Sequence, residues 1–128
     1  MKHWTEHKSP LHVDEFKWQN SHAAFAAHVA EKDGKYYLFF GANDVHEGEI
    51  GGIGVAVADN PAGPFEDLLG RPLIGEIVNG AQPIDAHLFK DDDGTAYHVF
   101  ASEDNSTLHV AELTRDYLDM LIIYVTRL

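Results

Sequence analysis

The sequence predicts an all-β protein assembled from antiparallel repeat units. Three observations carry the prediction. The stretch Ile84-Asp85-Ala86-His87-Leu88-Phe89-Lys90-Asp91-Asp92-Asp93-Gly94-Thr95-Ala96-Tyr97 reads as strand, acidic turn, strand. A weaker copy, Ala27-His28-Val29-Ala30-Glu31-Lys32-Asp33-Gly34-Lys35-Tyr36-Tyr37, lies about sixty positions earlier. A further β-branched run follows each copy, at Ile53-Gly54-Val55-Ala56-Val57-Ala58 and at Thr107-Leu108-His109-Val110-Ala111-Glu112.

Taken in order, the elements are as follows. Ser21 to Ala30 is alanine-rich and helical by propensity alone. The repeat overrides that preference for Ala27 to Ala30, and Ser21 to Ala24 stay unassigned. Asp33-Gly34 and Asp93-Gly94 suit tight hairpins, because glycine accepts positive φ. Lys35 to Phe40 is apolar on both faces, as in a strand buried between two layers. Gly48-Glu49-Ile50-Gly51-Gly52-Ile53-Gly54 has neither the spacing of a dinucleotide fingerprint nor a phosphate loop's Lys-Ser/Thr pair. It reads as a place where strands approach closely or turn sharply. Asn60-Pro61-Ala62-Gly63-Pro64-Phe65 ends the first unit's third strand, since proline cannot donate to a ladder. Gly34 aligns with Gly94, Tyr37 with Tyr97 and Phe40 with Phe100, the second turn being one residue longer. Leu121 to Leu128 is expected to be an irregular end.

Repeat units of this size, with three or four antiparallel strands, fit the blades of a β-propeller. The expected division is residues 1–20 as the remnant of a preceding blade, 21–80 as a first full blade and 81–128 as a second. Two blades cannot close a ring. The expectation is therefore a portion of a larger propeller, or one completed by homo-oligomerisation.

Composition narrows the partners. The chain of 128 residues has 9 basic against 21 acidic side chains, a formal net charge of −12. Such a surface disfavours nucleic acid, whose affinity rests on Lys and Arg neutralising phosphates, and equally disfavours anionic membranes. It suits a neutral or cationic ligand. The absence of cysteine excludes disulfides and thiolate metal sites. The N-terminal residues lack the apolar segment of a signal peptide, so either the chain stays inside, cytoplasmic by default, or a signal has been removed.

Three segments resemble glycoside hydrolase family 43, whose fold is a five-bladed β-propeller. Phe25-Ala26-Ala27-His28-Val29 with its following hairpin resembles the family's Trp-Ala-Pro-x-Val segment. Gly54 to Phe65 resembles the strand and turn that end the same blade. Ile84 to Tyr97 resembles the Ile-Asp-Pro segment with its Asp-rich turn. The resemblance implies hydrolysis of arabinan, xylan or galactan side chains by three carboxylates: a general base, a general acid, and an aspartate that tunes the acid and orients substrate. Asp85 matches the third of these. By the same alignment the base falls before Lys2-His3-Trp4-Thr5, which resembles the outer strand of the first blade, and the acid falls after Leu128. Ala27 and Ala86 replace the family's prolines and Phe25 replaces its tryptophan. The first unit is closer to members acting on arabinan, and the segment from Ala101 to His109 to members acting on galactan.

The residues themselves support a bounded reading. Glycoside hydrolysis needs two carboxyl groups across the scissile bond, one protonated, and a third charge nearby raises the acid's pKa. Asp85 suits that third role, or else caps a strand. Phe25, His28 and His87 are the expected sugar-binding residues, by stacking and hydrogen bonding. Asp85 and His87 sit two apart on a strand, with Ala26 and His28 as their counterparts. His28, His87 and Asp85 could thus meet at a metal, but packed histidines are the favoured reading and no metal or cofactor is expected. His98 and His109 read as packing residues. Asp91-Asp92-Asp93-Gly94 lacks the ligand spacing of a calcium loop and reads as a solvated hairpin tip. Asn105-Ser106-Thr107 is a formal glycosylation sequon. Trp4, Phe25 and Trp18 suit sugar faces or blade packing.

The favoured expectation is a two-blade portion of a family 43-like glycosidase, binding oligosaccharide or polysaccharide and not competent alone. Two alternatives stay open: a non-catalytic carbohydrate-binding or self-assembling module, and a purely structural product that folds by oligomerising.

Overall fold

The computed structural model describes residues 3, 5–8, 10–12, 16–19, 24–42, 51–75, 83–102, 107–115 and 120–127. They form two four-stranded antiparallel sheets. The first runs β1 (Ala24–Lys32), β2 (Lys35–Ala42), β3 (Gly52–Ala58) and β4 (Glu66–Asp67), paired in that order. The second runs β5 (Pro83–Lys90), β6 (Ala96–Ser102), β7 (Thr107–Leu113) and β8 (Met120–Arg127), again in order. Each sheet is a meander, the form expected of a propeller blade.

The hairpins follow the local chemistry. Asp33 and Gly34 take φ of 53° and 77°, the double left-handed turn whose twist matches its flanking strands. The Gly34 N–H donates to Glu31 Oε1 at 2.9 Å. In the second blade the Asp91 N–H donates to the Thr95 carbonyl at 2.8 Å, and the Gly94 N–H to the Asp91 carbonyl at 2.9 Å. The Asp93 carboxylate accepts the Thr95 N–H at 2.8 Å, which holds its pKa below the usual value. These aspartates are exposed and shape their own turn.

One open question about strand content is resolved and one expectation changes. The alanine-rich segment enters β1 at Ala24, while residues 21–23 lie outside the described set. Alanine's helical preference, though the strongest of the residues, amounts to less than about 1 kcal/mol each, and pairing along β2 outweighs it. The segment expected to be an irregular end is instead β8, paired with β7 from Leu113↔Met120 to Thr107↔Arg127. Its run Leu121-Ile122-Ile123-Tyr124-Val125-Thr126 has strong strand propensity, and β7 offers the open edge it needs.

Packing sorts the side chains by face. From the first sheet, Phe39, Ile53 and Val55 point toward the second. They meet Ala86, Leu88, Ala96, Phe100, Ala111 and Leu113 in one buried cluster. The opposite face of the first sheet carries Leu38, Phe40, Ala42, Ala56 and Ala58, covered by Phe16, Trp18 and Phe65. Phe16 meets the Phe40 ring edge-on at 5.1 Å, and Trp18 stacks on it at 6.3 Å. Trp18 is thus a packing residue, and Trp4 lies outside the described set. Gly54 explains part of the glycine-rich stretch: a Cβ there would lie 2.6 Å from the Phe40 ring and 2.8 Å from Trp18.

Phe40 and Phe100 occupy equivalent positions, each facing the layer that precedes its own sheet. Among the described residues, the same logic leaves one face uncovered. On the far side of the second sheet, Val99, Ala101, Leu108 and Val110 are half-buried and Phe89 is 51% exposed.

Candidate functional site

Both sheets carry the same irregularity near the start of their first strand. Along β1 and β2 the register jumps between Phe25↔Gly41 and His28↔Phe39, leaving Ala26 and Ala27 opposite Phe40. Along β5 and β6 it jumps between Ile84↔Ala101 and His87↔Val99, leaving Asp85 and Ala86 opposite Phe100. These are β-bulges, which commonly re-aim a side chain beside a functional site. Ala26 has φ of 44° and Asp85 of 55°. Left-handed backbone costs an L-residue about 1–2 kcal/mol, and aspartate tolerates it better than alanine. The bulge belongs to the blade, and the carboxylate belongs to the second blade alone.

Asp85 is exposed on this bulge, two residues before His87. His87 meets His28 across the junction of the sheets, with ring centroids 4.1 Å apart and planes tilted by 55°. Repeat-equivalent histidines therefore converge because β5 packs against β1 and β2. Partial burial, and then His87, lower the His28 pKa. Phe25 stands half exposed at the head of β1, free to offer an apolar surface. The four residues expected to bind or process sugar thus occupy two neighbouring strands.

The metal arrangement does not form. The two rings meet, but among the described residues no three metal-ligating side chains gather around a common point.

Beneath the pair lies His98, fully buried on β6, with its ring edge-on to Phe39 at 4.4 Å. Neither ring nitrogen has a hydrogen-bond partner among the described residues. Burial, reinforced by His28 and His87, pushes its pKa down to about 3. His109 is also buried, stacked on Phe100 at 4.9 Å with planes 6° apart, and burial lowers its pKa. Both are packing residues, as their strand positions imply. What the sequence did not disclose is that His98 underlies the His28–His87 contact. The alternation Ala96, His98, Phe100 was the available signal, since it puts His98 on the face turned toward the first blade.

Comparison with known proteins places this geometry. The family profile described as Glycosyl hydrolases family 43 matches residues 1–121. The chain is 35% identical to a beta-D-galactofuranosidase from Aspergillus niger over 130 residues, covering 91% of this chain and 36% of that protein. It is 46% identical to a xylosidase/arabinosidase from Humicola insolens over 96 residues, covering 75% of this chain and 27% of that protein. Among solved structures, an alpha-L-arabinofuranosidase from Clostridium thermocellum superposes with a TM-score of 0.80 at 28% identity, over 99% of this chain and 42% of that one. The chain spans only about a quarter to two-fifths of the length of these proteins.

Proposed function

The chain belongs to glycosyl hydrolases family 43, and from that premise we propose that it forms the part of a plant-polysaccharide glycosidase that positions sugar beside the reacting bond. The substrates are side chains built of arabinose, xylose or galactose. Asp85 is the carboxylate that orients the sugar and tunes the acid, while Phe25, His28 and His87 line the subsite. The observation that carries this reading is Asp85 itself, an exposed carboxylate on a left-handed bulge whose twin in the first blade holds alanine.

One carboxylate does not make a glycosidase. Cleavage needs an acid and a base or nucleophile on opposite sides of the glycosidic bond, about 5–5.5 Å apart for retention and about 6.5–9.5 Å for inversion. In this reading Asp85 is neither. It supplies negative charge that favours the protonated acid, plus hydrogen bonds that hold the ring, and other blades bring the acid and base.

The test is hydrolysis of aryl arabinofuranosides, xylosides and galactosides, alongside calorimetric titration with arabino- and galacto-oligosaccharides. The expected result is sugar binding without turnover by this chain alone, with binding weakened several-fold in Asp85→Asn. Turnover typical of a whole glycosidase would overturn the division of labour, and absence of binding would overturn the subsite. A non-catalytic binding module is the second reading, favoured by the half-exposed Phe25 beside a histidine pair. In either case the uncovered far face of the second blade favours self-association, and sedimentation showing a monomer at high concentration would contradict it.

A further inference from the structure

We propose that the junction between the two blades is an acid-sensitive joint, closed while His28 and His98 are uncharged and loosened when they take up protons. The geometry carries this. His28 comes from β1 of the first blade, and His87 and His98 from β5 and β6 of the second. The His28 and His87 rings are in contact, and His98 lies buried against Phe39 of β2. Charge placed on His28 or His98 therefore penalises the docking of one sheet on the other, because the ladders within each sheet do not depend on these rings.

The surroundings offer little compensation. On β1 the other charged groups, Glu31 and Lys32, flank the hairpin turn. On β2, Lys35 pairs with Asp59, and the other titratable side chains are Tyr36 and Tyr37. On β5, Asp85 and Lys90 are exposed. On β6 there is Tyr97, on β7 His109 and Glu112, and on β4 Glu66 and Asp67, the last accepting the Leu69 and Gly70 N–H groups. The charges that act on His98 are those of His28 and His87, and both oppose a proton. The Phe39 ring attracts a cation only weakly compared with the hydration that a buried imidazolium gives up.

The sign follows from linkage. Below pH 6.5 an unfolded His98 takes a proton that the folded chain refuses until about pH 3. Its contribution is complete above pH 6.5 and is lost as pH falls through that window, tenfold in the folding equilibrium per unit. At pH 5 the loss from His98 alone is about 30-fold, and His28 adds to it in the same direction.

Urea unfolding of the whole chain at pH 7.5 and pH 5.0 tests the proposal without any sugar, so its outcome is independent of the proposed activity. The wild type should lose at least about 30-fold in folding equilibrium between the two. His98→Leu should remove most of that loss, and exposed His12→Gln should leave it intact. Should His98→Leu fail to fold, histidine C2–H NMR titration of the wild type decides: the His98 resonance should not titrate above pH 5. A pH dependence unchanged in His98→Leu, or a native His98 titrating near its ordinary value, would overturn the proposal.

Discussion

The first strands of the two blades differ at one place that matters. Ala26 and Asp85 occupy the same bulge, with φ of 44° and 55°, opposite the equivalent Phe40 and Phe100. Both positions are exposed, each two residues before one of the paired histidines, but only the aspartate places a carboxylate there. The difference teaches that the bulge is a property of the blade and not of the carboxylate. A site can then be added or left out by one substitution without rebuilding the backbone. A second contrast concerns faces. The first blade's far face is sealed by the second blade, and among the described residues the second blade's far face is open.

The largest expected effect tests the contrast of faces. Phe39 is fully buried in the junction, and Phe39→Ala should cost about 3–5 kcal/mol in urea unfolding. Its repeat counterpart Val99 is half-buried, and Val99→Ala should cost about 1 kcal/mol. A Val99 cost in the range of full burial would show that another sheet covers this face in solution, and the contrast would then describe the isolated chain only.

A smaller effect probes the twin bulges. Ala26→Gly should raise stability by about 0.5–1 kcal/mol, because relief of left-handed strain exceeds glycine's extra chain entropy. Asp85→Gly should be nearly neutral, since aspartate bears that conformation more easily. Equal responses at the two positions would erase the distinction drawn between them, and destabilisation by Ala26→Gly would contradict the bulge geometry.

The smallest effect lies outside both contrasts. Lys35 and Asp59 form an ion pair of 2.7 Å with side chains 53% and 88% exposed. Asp59 raises the Lys35 pKa by hydrogen bond and charge, yet solvent screening leaves such pairs almost no net worth. Lys35→Met should leave the urea midpoint unchanged at any salt concentration. A salt-dependent loss would mean that the first hairpin contributes more than its solvation suggests.

Much of this architecture was legible from short-range chemistry. Asp33-Gly34 and Asp93-Gly94 announced their hairpins, because positive φ is a local requirement. The doubly apolar run from Lys35 to Phe40 announced a strand between layers, and Leu38 and Phe39 do face opposite clusters. Asp85 stood out because its counterpart is alanine. β8 was misread although its residues favour a strand, since no repeat partner identified it. The bulges were invisible, because a register shift depends on what lies opposite and not on the strand's own residues.

The sequence alone determined the hairpins, the repeat and most of the strands, set by local propensity and spacing, and three segments carried the resemblance to the family. The tertiary structure decided the left-handed seat of Asp85, the meeting of His28 with His87, and the burial of His98 beneath them. The first arises where two strands pair and the others where one sheet packs on another, and contacts between residues distant in the chain are fixed by pairing, shape and burial, which no single segment encodes.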